Sequence, residues 1–288
     1  MRVRGVVQLW WRVWPNDRGF AIETVAGDGI VIGGSTNSSD GNVQGQRSNY
    51  DAYVLCLAND GSIVWQYTLD DGGDEQAFSV SYGIDGRFRV GGSRNANQSR
   101  KYLLFELDID GNLAWKKHFG GEGLDQLKGF TALADGGHLL LGCSNSQTGD
   151  AGQGNDGMDG WALKVDKTGA IQWGLRKGKP GDDCFYSALE FSSGQLLIAG
   201  RISELDANDQ VINNSFKGWY LKLDSEGNLL WETETSGNSG DLISKLIEED
   251  QSFVGIGETD KNNTDIWYQR WQNSKPAQVV NLGTPKNL

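Results

Sequence analysis

Five aspartates stand at matching points along the chain: Asp17, Asp74, Asp125, Asp183 and Asp241, four of them 9 or 10 residues after a recurring tryptophan. Carboxylates are hard oxygen donors, so five of them around one opening would hold a divalent cation or a cationic group. With no usable set of His or Cys, the ion such a ring would take is Ca2+ or Mg2+ rather than Zn2+. An Asp in a turn also has a commoner use, accepting the backbone N–H groups of its own turn. Both readings stay open on the sequence.

Other chemistry is thin. Gly152–Gly157 reads GQGNDG, yet a strand rather than a helix follows it, so the dinucleotide fingerprint lacks its context. Asp108, Asp110 and Asn112 have the first spacings of a calcium loop, but Leu113 stands where the sharp-turn Gly belongs and no Glu closes the loop. GxSxG, P-loop and HExxH motifs are absent, and two histidines, His118 and His138, are too few for a multi-His metal site. Cys56, Cys143 and Cys184 are odd in number and widely spaced, which argues against a disulfide framework and predicts buried thiols. Sequons begin at Asn37, Asn97, Asn213 and Asn262, all in segments expected to be exposed loops.

The elements that must carry these residues repeat. Gly34, Gly92, Gly142, Gly200 and Gly257 end five apolar runs. Trp65, Trp115, Trp173 and Trp231 form a second marker, and Tyr53, Tyr102, Trp161, Trp219 and Trp267 a third, 12 or 13 residues before each tryptophan where one follows. Each unit holds four short runs rich in Val, Ile, Leu and aromatics, joined by Gly-containing turns suited to tight hairpins. Four-strand units of this size, repeated five times, predict an all-β β-propeller of five four-stranded blades. The expected units are residues 15–69, 70–119, 120–177, 178–235 and 236–288, making one domain. Val6–Trp11 is expected to close the ring as the fourth strand of the last blade, with the C-terminal run Gln278–Leu282 as the alternative. The fourth-strand tryptophans are expected to wedge between blades.

The segment DAYVLCLANDGSIVWQYTLDDGGDEQAFSV (51–80), with GlyGlySer at 33–35 and 91–93, resembles the bacterial SBBP β-propeller repeat family. More distantly, LDIDGNLAW (107–115) and LDSEGNLLW (223–231) are similar to the tryptophan-docking repeats of quinoprotein-type propellers. The resemblance implies a secreted or cell-envelope bacterial protein with a binding or scaffolding role, and it transfers no catalytic residues. A cytoplasmic location is the expectation if no leader has been removed.

A formal charge of −12 over 288 residues disfavours nucleic acid and anionic lipid as partners, and no apolar run approaches a bilayer span. The leading expectation is a non-enzymatic module that binds a protein or glycan through the long loops 36–51, 144–159 and 202–217, with no required cofactor. The competing expectation is a glycoside-processing enzyme using axial carboxylates, which needs a pair about 5–10 Å apart with one pKa raised. Oligomeric state is not readable from the sequence.

Overall fold

The computed structural model describes residues 17–25, 29–39, 43, 49–155, 157–235, 241–249, 252–259, 265–272 and 275–281. Among them the chain forms five antiparallel sheets, each built from strands consecutive in sequence. The first is β1 (Arg18–Val25), β2 (Gly29–Thr36), β3 (Asp51–Ala58) and β4 (Ile63–Leu69). The second is β5 (Asp74–Tyr82), β6 (Phe88–Ala96), β7 (Ser99–Leu107) and β8 (Leu113–Phe119). The third is β9 (Asp125–Ala132), β10 (His138–Ser144), β11 (Gly157–Val165) and β12 (Ile171–Lys177), with the two-residue β13 (Gly181–Asp182) parallel to β11. The fourth is β14 (Cys184–Glu190), β15 (Leu196–Leu205), β16 (Val211–Leu223) and β17 (Leu229–Glu234). The fifth is β18 (Asp241–Glu249), β19 (Ser252–Thr259), β20 (Asp265–Gln272) and β21 (Lys275–Asn281). The chain divides into two compact units, Met1–His118 with the first two sheets and Phe119–Leu288 with the other three.

The fourth position of the fifth sheet was expected to go to Val6–Trp11. β21 occupies it, paired antiparallel with β20. A two-residue connection links β20 to β21, so this pairing closes a very short loop, whereas an N-terminal strand would close one of more than 200 residues. Val6–Trp11 lies outside the described residues.

The recurring glycine has a steric cause. Gly34, Gly92, Gly142, Gly200 and Gly257 pair with Gly19, Ala77, Leu127, Phe185 and Ile243, and each time the register of the first strand shifts at that point. The bulge turns a first-strand carbonyl toward the glycine: a Cβ on Gly92 would lie 1.8 Å from the Gln76 oxygen, and one on Gly200 2.0 Å from the Cys184 oxygen. The same register corrects one marker, because Gly92 pairs with Leu103 while Tyr102 pairs with Ser93. Leu103, 12 residues before Trp115, is therefore the second sheet's counterpart of Tyr53.

Apolar side chains fill the space between neighbouring sheets. Within the first unit, Val31, Val54, Phe88, Val90, Leu103 and Phe105 form one core; within the second, Leu139, Leu141, Ala162, Phe185, Ile198 and Trp219 form another. Trp161 and Trp219 of the third strands are almost fully enclosed, and Trp219 stacks on Phe185 with centroids 4.9 Å apart. The fourth-strand tryptophans, expected to be buried wedges, are only half-buried. Two of them, Trp65 and Trp173, dock instead on the next sheet of their own unit. Trp65 donates its indole N–H to Ile109 O at 3.0 Å and lies against Gly111; Trp173 donates to Ser225 O at 3.0 Å and lies against Gly227. Both glycines sit at positive φ in the hairpin between third and fourth strands, and a Cβ on either would strike the indole.

Cys143, beside Gly142 on β10, and Cys184, at the start of β14, form a disulfide with Cα atoms 4.8 Å apart. The sequence expectation of three thiols is thus corrected: equivalent ends of two adjacent sheets bring together residues 41 apart in the chain. Cys56 is the remaining free thiol, buried, with its pKa raised by that burial.

Candidate functional site

The register places one acidic residue two positions before each first-strand residue that faces the recurring glycine. These are Asp17, Glu75, Asp125, Asp183 and Asp241. In the second sheet the equivalent is therefore Glu75, and the expected Asp74 stands one residue early, where it accepts the Tyr50 N–H at 3.1 Å. A one-residue slip moves a side chain to the opposite face, which is why spacing from Trp65 alone chose the wrong acid.

Four of these acids, Asp17, Glu75, Asp125 and Asp183, tie their strands to nearby backbone or to the loop leaving the second strand. Asp17 accepts the hydroxyls of Thr36 and Ser38, both at 2.7 Å. Asp125, fully buried, accepts Ser144 Oγ at 2.5 Å, Ser146 Oγ at 3.1 Å and the Gly121 N–H at 2.9 Å. Asp183, also fully buried, accepts the N–H groups of Ser203 and Lys179, each at 2.5 Å. Glu75 accepts the Asp71 N–H at 3.3 Å, four residues back, as Asp125 and Asp183 do from Gly121 and Lys179. Asp241 begins β18.

Between the third and fourth sheets a second carboxylate joins Asp183. Asp159 is 1% exposed, and Arg176 Nε donates to its Oδ2 at 3.0 Å. A Cβ on Gly178 would lie 2.4 Å from Asp159 Oδ1 and 2.5 Å from Asp183 Oδ2, so the two carboxylates approach one another across that glycine. Burial pushes the Asp183 pKa up to about 6; Asp159 adds to the rise, against the hydrogen bonds from Ser203 and Lys179. Arg176 also donates to the carbonyls of Ser144, Ser146 and Gly152. The loop 145–155 is thereby held at several points, with a 3-10 turn at Gly149–Ala151 and the side chains of Asn145, Gln147, Gln153 and Asn155 exposed.

The first unit carries a different arrangement at the corresponding place. Asp51 on β3 matches Asp159 in register, Thr68 matches Arg176, and Asp70 and Glu75 match Gly178 and Asp183. One oxygen from each of Asp51, Asp70 and Glu75 lies within 4.8 Å of the others. Asp51 and Glu75 are buried and Asp70 is exposed. Beside them Asp71 gathers basic groups: Lys116 Nζ at 2.5 Å, His118 Nε2 at 2.6 Å and Arg94 Nε at 3.4 Å. Burial works to raise the Asp71 pKa, but Lys116, His118 and Arg94 outweigh it and hold the carboxyl below its usual range. Burial lowers the His118 pKa, with Asp71 opposing, and raises that of Glu75. Sequence reasoning treated His118 as an ordinary histidine and missed Asp51, Glu75, Asp159 and Arg176. The available signal was their fixed offset from the aromatic, glycine and tryptophan markers once the strands are put in register.

No family model matches the chain, and no curated protein does. Solved structures do match. An ulvan lyase of the polysaccharide lyase family PL25, bound to -[GlcA(1-4)Rha3S]-, has 10% identity and a TM-score of 0.55, covering 93% of this chain and 71% of its own. The β-propeller domain of the trilobed protease from Pyrococcus furiosus, which has an open velcro topology, gives 7% identity and a TM-score of 0.53 over 92% and 71%. The fold is a β-propeller. A protein of unknown function from Bacteroides caccae, at 10% identity and a TM-score of 0.52, covers 93% of this propeller and 83% of its own chain. At these identities the likeness speaks for the fold alone.

Proposed function

We propose that this propeller is a binding module of the SBBP type, recognising a glycan or protein through the loops between second and third strands rather than turning over a substrate. The observation that carries the reading is loop 145–155. Arg176 and Asp125 hold its base through five hydrogen bonds to Ser144, Ser146 and Gly152, while Asn145, Gln147, Gln153 and Asn155 stay exposed, the first, second and fourth also bracing the loop through one amide group each. A pre-ordered loop presenting amides suits hydroxyl-rich ligands, because little entropy is lost on binding. The cross-sheet disulfide supports a secreted or cell-envelope location, where such bonds persist. The competing reading, a glycoside-processing enzyme, takes support from Asp159 and Asp183, a close carboxylate pair with one pKa raised. Both side chains are enclosed and committed to internal partners, which favours the binding reading.

The deciding experiment is a panel of neutral and uronate-containing oligosaccharides tested by calorimetry and by reducing-end release. Binding without release, lost in Gln147→Ala/Gln153→Ala, is the expected result. Release of reducing ends that disappears in Asp183→Asn would overturn the proposal in favour of the enzyme.

A further inference from the structure

We infer that Asp51, Asp70 and Glu75 form a calcium site at the end of the first two sheets, independent of the loop surface proposed above. Comparison within the molecule carries the inference. Between the third and fourth sheets, Asp159 and Asp183 share their place with a glycine, Gly178, and with Arg176, whose guanidinium neutralises Asp159 at 3.0 Å. At the corresponding place in the first unit the arginine is replaced by Thr68 and the glycine by a third acid, Asp70. One cation has been exchanged for one anion.

A second observation points to what balances the charge. Glu75 has no exposed side-chain surface, and its Oε1 is buried without a hydrogen bond. Arg94 Nε makes a long ion pair with it at 3.6 Å but gives its hydrogen bond to Asp71 O at 2.9 Å, and the same guanidinium also faces the Asp71 carboxylate at 3.4 Å. A buried carboxylate oxygen with open acceptor capacity beside two further carboxylates is a strongly unfavourable arrangement unless a cation meets it.

The donor chemistry selects the ion. The three candidate donors are carboxylate oxygens lying within 4.8 Å of one another, two of them on buried side chains. Oxygens on opposite sides of Ca2+ are about 4.6–5.2 Å apart, but those around Mg2+ only about 4.0–4.2 Å, and Mg2+ tolerates little distortion. Calcium, with its longer bonds and variable coordination, accommodates donors anywhere within that limit without movement of the buried Asp51 and Glu75, whereas magnesium needs near-ideal octahedral placement. Exposed Asp70 leaves the remaining coordination positions to water.

The test is calorimetric titration of the full chain, stripped with EDTA, with CaCl2 and separately with MgCl2. Saturable one-site calcium binding is expected, at least about tenfold tighter than magnesium. Asp70→Asn, which changes an exposed side chain and removes one of the mutually repelling charges, should weaken calcium about tenfold or more without lowering the metal-free melt; Glu75→Gln should do the same to calcium. Glu226→Gln, the same charge change on an exposed hairpin of the other unit, should leave binding unchanged. Absence of saturable calcium heat, equal affinity for magnesium, or undiminished calcium binding in Asp70→Asn would overturn the site. Loss of binding in Asp183→Asn with none in Asp70→Asn would overturn it equally, placing the ion elsewhere.

Discussion

Removing the Cys143–Cys184 cross-link tests the register of the third and fourth sheets directly. The bond joins residues 41 apart. Closing a loop of that size removes about 13 cal/mol/K of entropy from the unfolded chain, or about 4 kcal/mol at 25 °C. Against a typical net stability of about 5–15 kcal/mol this is a large share. For a unit the size of residues 119–288 it corresponds to a fall in Tm of roughly 8–16 °C. The perturbation is Cys143→Ser/Cys184→Ala, where Ser is the residue that the first two sheets carry at the matching positions, Ser35 and Ser93. Thermal melts of parent and variant under non-reducing conditions give the shift, and reductant should bring the parent down to the variant. Maleimide labelling of the unfolded, unreduced parent should mark one thiol, Cys56. Three labelled thiols in protein kept under oxidising conditions, or coincident melts, would refute the pairing.

Trp173→Phe keeps an aromatic ring but loses the N–H bond to Ser225 O, and should cost about 1–2 kcal/mol in a denaturant titration. Gly92→Ala drives a Cβ into the Gln76 carbonyl, which belongs to the backbone and cannot swing aside, so a loss of at least about 2 kcal/mol is expected in the same assay. Asp183 titrates near pH 6 in the folded protein, above the ordinary carboxylate range, so the folded form holds the proton more tightly than the unfolded chain. Its contribution is fully present below about pH 4 and is lost as pH rises through 6, by roughly 3 kcal/mol. The stability difference between parent and Asp183→Asn should therefore move against the parent over that window, and a pH-independent difference would contradict the assignment.

The repeat was readable because steric requirements recur with the backbone. The five glycines mark a bulge where no Cβ fits, and the tryptophans mark an indole that must meet a carbonyl in the next hairpin. Both contacts recur at a nearly fixed offset, the glycine's within one sheet and the indole's from one sheet to the next, so each leaves a period in the sequence. The acids were readable only to within a residue: Asp74 and Glu75 are adjacent, and which one faces the second-strand loop is decided by strand register, which spacing from Trp65 does not specify. The disulfide was hidden for another reason. Cys143 and Cys184 occur in non-equivalent strands of successive sheets, so no repeat marker brings them into one column. Arg176 was overlooked because its counterparts, Thr68, His118 and Glu234, share neither charge nor shape.

The direction in which the tryptophans dock bears on how the chain can be assembled. Trp65 of the first sheet reaches forward to Ile109 of the second, and Trp173 of the third reaches forward to Ser225 of the fourth. During synthesis from the N-terminus each of these sheets therefore emerges with its outer indole N–H unanswered until about 40–50 further residues have followed, a wait of several seconds at ribosomal speed. A nascent or truncated chain ending after the first or third sheet presents a bare tryptophan and an open carbonyl-seeking donor. Each finished junction is in turn a built-in fluorescence reporter that its downstream neighbour has arrived.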